Sequence, residues 1–435
     1  MDKFTSSELW DNVWTARCRL SLIVVVLLAS LLGCGGGSGS GISFDKFGGA
    51  ASIELSNVTA WDSSGSYHDV LQGCIKVERD EYCTVNQLPL LVQVTGITPS
   101  KSAIQQRLVV SHDWMGLRFM ALLDELPDDI RTLLGSVSAI VIGSEIRPSF
   151  YYPLTGAIYL DPSRLWLTNT EKQTISQRTD FRSDFDQELN FAFLSRYLEG
   201  GVSAFPYYPL DGDEERQLQD IVKPMARLLY HELAHAADFF PRLAVAGFDG
   251  ALTLDENAQN LHLDVLSDQL VADIPLNNSV LDLLGKVMFQ GEQATLAQQS
   301  FSPSYVGAEF TNDGAAHMYA YSTQFEDFAM LFEQSMMKYH YNLVIEVAVT
   351  NYSDSIYCND YSVVWGQINR IADGLVKPRA KKVAELVFPE EAWGGVFDGL
   401  GVAVNSSAGE SWCDRLANRG GENKEPLVRH FPDYL

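Results

Sequence analysis

Pro224-Met225-Ala226-Arg227-Leu228-Leu229-Tyr230-His231-Glu232-Leu233-Ala234-His235-Ala236-Ala237-Asp238-Phe239-Phe240-Pro241 contains the pattern H-E-x-x-H and reads as one helix. Proline is tolerated in a first helical turn, where its missing N–H would be unpaired anyway, and Pro241 limits continuation at the other end. His231 and His235, four residues apart, leave the same face of that helix, so both imidazoles can hold one metal ion. Glu232 lies about 100° around the axis. It is outside the coordinating pair yet close enough to a metal-activated water to act as general base. The apolar flanks imply a buried helix, where two unpaired histidines would be costly.

Working outward, a catalytic Zn²⁺ needs a third protein ligand and one position left for water. A histidine six residues beyond His235, the metzincin solution, is absent because that position is Pro241. A later glutamate is the remaining common solution, and two compete. Glu256 stands near the spacing of thermolysin-like enzymes, in the context Leu254-Asp255-Glu256-Asn257-Ala258. Glu326 lies in His317-Met318-Tyr319-Ala320-Tyr321-Ser322-Thr323-Gln324-Phe325-Glu326-Asp327-Phe328-Ala329-Met330-Leu331-Phe332-Glu333. There Ser322 or Thr323 can cap a helix with Phe325, Phe328, Ala329 and Phe332 on its apolar side, and Glu326 and Glu333 share another side. The small Ala329 allows close helix–helix approach, so Glu326 is the preferred ligand.

The motif helix resembles that of the anthrax toxin lethal factor peptidase family, which reads H-E-F-G-H-A-x-D against His231-Glu232-Leu233-Ala234-His235-Ala236-Ala237-Asp238 here. The later stretch resembles that family's tyrosine, hydroxyl residue and E-F-F-A. The resemblance implies an α+β, zincin-like fold with a mixed sheet, an edge strand beside the active-site helix and a helical C-terminal subdomain. It further implies a gluzincin peptidase with one Zn²⁺ on His231, His235 and Glu326, and a peptide or protein substrate. By that likeness Glu232 is the base, Tyr319 supports the oxyanion, with Tyr321 as its alternative, and Ser322 is the hydroxyl residue. Ala157-Ile158-Tyr159-Leu160 is the candidate substrate-pairing edge.

The chain has 435 residues, 46% of them hydrophobic, enough for a large core. A formal net charge of −25 repels nucleic acid and argues against it as a partner. Arg17 and Arg19 precede an apolar run from Leu20 to Gly33 that suits a signal-peptide core and is short for a membrane span. Leu31-Leu32-Gly33-Cys34 resembles a bacterial lipobox. Residues 1–33 are thus expected to be a lipoprotein signal, Cys34 the lipidated residue, and 34–41 a Gly/Ser tether. That places the protein in a bacterial cell envelope, lipid-anchored at the outer membrane. The rival from another class is a non-catalytic surface lipoprotein whose metal helix is only structural.

Export agrees with the cysteines. After Cys18 and Cys34, four remain, and Cys74–Cys83 and Cys358–Cys413 are the favoured disulfides. Alternating runs such as Ser52-Ile53-Glu54-Leu55 and Leu90-Leu91-Val92-Gln93-Val94 predict a small β-rich region over 42–98, ahead of a metallopeptidase domain over 99–435. Helical spacing runs from Ser102 to Leu134 with a break at Pro127, and strands are expected at Ala139–Ile142 and Ala157–Leu160. Residues 169–188 read as loop or exposed helix, and Asp211-Gly212-Asp213-Glu214-Glu215 as a charged helix start. Mixed helix and loop follow over 242–316, then helices at Val363–Leu375 and Lys381–Val387 and a loop at Gly394–Gly401.

Overall fold

A computed structural model describes residues 55–415 apart from 79–80, 206–207, 209 and 356. The signal segment, Cys34, the tether and Ser52–Glu54 lie outside the described residues. Among the described residues the fold is mixed α+β, with two five-stranded sheets. Among the described residues no helix is long and apolar enough to cross a membrane.

The first sheet contains β1 (Thr59–Ala60), β2 (Leu108–Val110), β3 (Ile140–Ile142), β4 (Phe150–Tyr152) and β5 (Ala157–Leu160) in the order β1-β2-β3-β5-β4. The central strands β2, β3 and β5 run parallel, and β1 and β4 join antiparallel at the edges. Buried on both faces, the parallel strands are continuously apolar rather than alternating. Leu108, Val110, Ile140, Ile142, Ile158 and Leu160 point into the large core beneath the motif helix. Val109, Val141 and Tyr159 point the other way, into a smaller cluster with Val58, Leu71, Ile75 and Leu88.

That second cluster corrects the expectation for the N-terminal region. Its described part is not a separate β-rich unit: it covers the back of the first sheet and adds only the two-residue β1 to it. Leu90–Val94 is not a strand either. Helix Leu91–Thr95 replaces it, its start fixed by the Gln93 side chain accepting the Leu90 N–H at 2.8 Å. A short apolar run does not distinguish helix from strand by period alone. The same ambiguity hid β2 inside the helical spacing of 102–134.

Ala157–Leu160 is a strand but not the edge. It is flanked by β3 and by β4, and Phe150–Tyr152 is the outer strand. The turn between β4 and β5 ends at Gly156, whose φ of +66° suits glycine, and an added Cβ would meet Leu254 at 2.6 Å.

The second sheet, in the order β10-β9-β8-β6-β7, is antiparallel. It comprises β6 (Phe191–Glu199), β7 (Val202–Ser203), β8 (Val344–Asn351), β9 (Val363–Ile368) and β10 (Val404–Asn405). β9 and a short 3₁₀ turn at Arg370–Ala372 replace the helix expected over 363–375, because β-branched Val363 and Val364 with Trp365 favour the pleated ladder against β8. Gly394–Asp398 is a short helix rather than loop. Both expected disulfides are present, Cys74–Cys83 and Cys358–Cys413.

Between the sheets lie the helices that position the site. The motif helix spans Leu218–Phe239, beginning six residues before Pro224, which is internal to it. Its first turn is fixed by Asp220 accepting the Gln217 N–H at 2.7 Å. Asp211–Glu215 precedes that helix as a loop, with Glu215 accepting the Asn169 N–H instead of starting a helical turn. Helix Gln324–Tyr341 packs along the motif helix and is capped by Thr323, whose hydroxyl accepts the Glu326 N–H at 3.1 Å.

Asp327 of this second helix forms a buried ion pair with Arg379 of helix Lys377–Val387. Burial raises the Asp327 carboxyl, and the adjacent guanidinium opposes that shift. Removing one partner leaves an uncompensated charge in the core. Asp327→Ala is therefore expected to cost about 3–5 kcal/mol, read by urea denaturation, with most of the loss restored in Asp327→Ala/Arg379→Met. An exposed pair would give under about 1 kcal/mol, and that result would refute its structural weight.

Candidate metal centre

His231, His235 and Glu326 form a buried group in which one ligand atom from each lies within 4.8 Å of the others, an arrangement that could hold a metal ion. The first two come from the middle of the motif helix and the third from the first turn of Gln324–Tyr341. Glu326 Oε2 is 3.0 Å from His231 Nε2 and 3.4 Å from His235 Nε2. The two rings meet nearly perpendicular at 5.1 Å. Of the competing glutamates, the helix pairing therefore selects Glu326. Glu256 is exposed, and its carboxylate accepts the Thr253 N–H in the cap of helix Leu254–Asn260.

Glu333, two turns beyond Glu326, reaches the other nitrogen of His231. Its Oε2 lies 3.1 Å from Nδ1, and its Oε1 accepts the Tyr197 hydroxyl of β6 at 2.7 Å. A carboxylate on Nδ1 fixes the tautomer that leaves Nε2 for a cation. Both carboxylates and the histidine are fully or nearly fully buried. Burial works against protonating His231, but its hydrogen bonds to Glu326 and Glu333 and their charges outweigh it and raise the imidazole to about 10. Burial likewise opposes ionisation of Glu326, yet the charge of His235 and hydrogen bonds from both histidines hold it well below the usual carboxylate range.

Glu232 has 0% exposure, and neither carboxylate oxygen has a hydrogen-bond partner. Burial lifts its carboxyl to about 7, against the pull of the histidines. One turn after His235, Asp238 accepts the Ser267 N–H at 2.7 Å, and burial pushes it to about 7 as well.

Tyr319 sits on a 3₁₀ turn, Met318–Tyr321, whose start is capped by His317 Nδ1 accepting the Tyr319 N–H at 3.0 Å. Its ring lies 6.3 Å from that of His231 and 4.9 Å from Phe289. Burial, with the Glu326 charge and a hydrogen bond to that carboxylate, raises the phenol far above its ordinary value. The turn approaches helix Ser279–Gln290 closely because Gly285 has no side chain: a Cβ there would sit 2.4 Å from the Tyr321 carbonyl oxygen.

Tyr321 is not at the metal group. Its hydroxyl donates to Asp313 at 3.0 Å. Ser322 donates to the Tyr319 carbonyl, so Thr323 and not Ser322 is the cap. Cys34 lies outside the described residues.

Two participants were missed in the sequence. Glu333 stood at the right spacing beside Glu326, but nothing local indicated that it would reach His231. Arg182 belongs to a stretch read as polar loop, yet its side chain is 1% exposed and its charge acts on Tyr319 and Glu326. Its only local signal is Asp180, two residues earlier, which holds it as an ion pair.

Replacing Glu333 with alanine is expected to weaken divalent-metal binding about 10–100-fold, measured by chelator competition. Unchanged affinity would remove Glu333 from its orienting role. A second expectation concerns protons. The metal-free His231 is charged at neutral pH, and its protonated form stabilises the fold fully below about pH 6.5, with that contribution lost as pH rises through about 10. A cation entering at Nε2 must expel that proton, so binding tightens as pH rises through this window. Titration calorimetry at pH 7 in buffers of differing ionisation enthalpy should record at least one proton released per metal bound, that of His231 with a share from the Glu232 carboxyl near 7, and no release would contradict the paired imidazolium.

Comparison of the chain with family models, with curated proteins and with solved structures finds no match.

Proposed function

We propose that this protein is a zinc-dependent endopeptidase of the gluzincin type with a zincin-like arrangement, in which His231, His235 and Glu326 hold one Zn²⁺. The carrying observation is Glu232: a fully buried carboxylate with neither oxygen partnered, next to a three-ligand cluster, is costly unless it serves a function. The carboxylate-to-histidine separations of 3.0 and 3.4 Å, with all three ligand atoms within 4.8 Å of one another, would let His231, His235 and Glu326 share one cation, and two imidazoles with a carboxylate suit Zn²⁺. Among the described residues the cluster contains three ligands, as in catalytic sites, rather than the four that close structural ones. This favours an enzyme over a non-catalytic lipoprotein that retains metal for stability.

When bound, Zn²⁺ supplies Lewis-acid polarisation of the scissile carbonyl and acidifies the attacking water. Glu232 takes the proton of that water and passes it to the leaving amine, a task suited to a carboxyl poised near neutrality. Tyr319 donates its hydroxyl proton as a hydrogen bond to the developing oxyanion, and its high pKa keeps it protonated for that role. Glu333 keeps the His231 ring in register. A lipid on Cys34 would anchor the enzyme in the bacterial envelope at the outer membrane, and its substrate is a peptide or protein.

His231→Ala is expected to lose the zinc, approximately one equivalent per chain, by elemental analysis. Glu232→Gln is expected to keep it while peptide cleavage falls about 10²–10⁴-fold. Full cleavage by a Glu232→Gln preparation free of other proteases would overturn the mechanism.

A further inference from the structure

Residues 173–190 connect the first sheet to β6. The segment is tied at one end, where the Ser176 N–H donates to the Ser144 carbonyl at 3.0 Å and Arg147 donates to the Arg178 carbonyl at 2.9 Å. Further along, Phe185 packs against Gly291 at the end of helix Ser279–Gln290, and the same helix presents Phe289 to the ring of Tyr319. Arg182 lies between these anchors.

Its guanidinium is hydrogen-bonded along one edge, by Asp180, and lies over the Phe181 ring at 5.8 Å. Asp180 Oδ1 accepts both the Arg182 backbone N–H and Nε–H at 3.0 Å, and Asp180 Oδ2 accepts from Nη2. That fork fixes the plane of the group. Nη1 is buried and has no hydrogen-bond partner. A guanidinium has only donors to offer, so what Nη1 lacks is an oxygen acceptor. Phe185, three residues on, packs at the end of the helix whose Phe289 meets the Tyr319 ring, and the charge of Arg182 acts on both the Tyr319 hydroxyl and Glu326, so the loop sets the guanidinium beside the metal group.

We propose that Arg182 is a catalytic residue whose Nη1 donates to the acyl oxygen of the scissile amide, acting beside Tyr319 as a second oxyanion donor. This rests on the zinc-peptidase reading above. The alternative ligand chemistry is a substrate carboxylate, which matches the paired edge of a guanidinium. Here the Nε–Nη2 edge is already occupied by Asp180, and the single remaining nitrogen suits one oxygen. Asp180 balances the charge in the resting site, so the hydrogen bond gains strength as negative charge develops on that oxygen.

The test uses the zinc-loaded full chain and two tetrahedral phosphoryl probes, N-phosphoryl-leucinamide and N-phosphoryl-leucine, with affinities read by calorimetry. Arg182→Lys preserves the pair with Asp180, and Arg182→Gln removes it. Zinc content and thermal melting of both variants are measured in parallel. Expected is a loss of about 10–100-fold in affinity for both probes in both variants, with zinc content unchanged. Equal affinity in the wild type and Arg182→Lys would overturn the assignment, as would failure of the zinc-loaded wild type to bind either probe. A loss confined to the free-acid probe would also overturn it and make Arg182 a carboxylate anchor. A wild-type protein that takes up no zinc would instead fail at the peptidase reading itself.

Discussion

The apposition of two helices, Leu218–Phe239 and Gln324–Tyr341, is the constraint on which the site depends. His231 alone is a buried base with nothing to pair it, and its two nitrogens face acids separated by two helical turns on the opposing helix. Only one axial register of the pair satisfies both nitrogens at once. A shift by a single residue would turn Glu326 and Glu333 away by about 100° and leave three ionisable groups buried without partners. Electrostatics thus specifies the packing as much as packing specifies the site.

Around this pair the rest of the chain acts as support. The first sheet carries the motif helix on one face, and its other face is covered by the N-terminal segment stapled through Cys74–Cys83. The second sheet contributes Tyr197 to Glu333, so the long β6–β8 ladder bears on the orientation of a candidate ligand at one remove. Gly285 admits the turn that brings Tyr319 beside His231, and a side chain there would collide with backbone, which cannot swing aside. These contacts come from sequence positions spread across the described chain.

That spread explains what could be read in advance. His231, Glu232 and His235 were legible because their relation is local: four residues of helix fix two imidazoles on one face. Glu326 and Tyr319 were legible through one short stretch with its own capping residue and apolar period, and the structure brings both to the histidines. Even cysteine arithmetic left three pairings, and the favoured one, a local clasp at Cys74–Cys83 with Cys358–Cys413 as the C-terminal staple, is the one present. Three-residue strands such as β2 carry too few positions to show a period, and Leu90–Val94 showed an alternation that a single helical turn also satisfies. The edge position of Phe150–Tyr152 depends on which strands meet in space, and no local pattern encodes that. Arg182 and Glu333 were silent because their roles are set by partners more than a hundred residues away along the chain.

The buried bridge between Asp327 and Arg379 has a temporal side. Asp327 is the immediate neighbour of Glu326, and its counter-ion is 52 residues further on. While the chain is being synthesised, every length ending short of Arg379 would bury that acid unpaired on docking, which disfavours packing of the helix that carries Glu326. The group of His231, His235 and Glu326 thus rests on a side chain that lies 52 residues beyond Asp327.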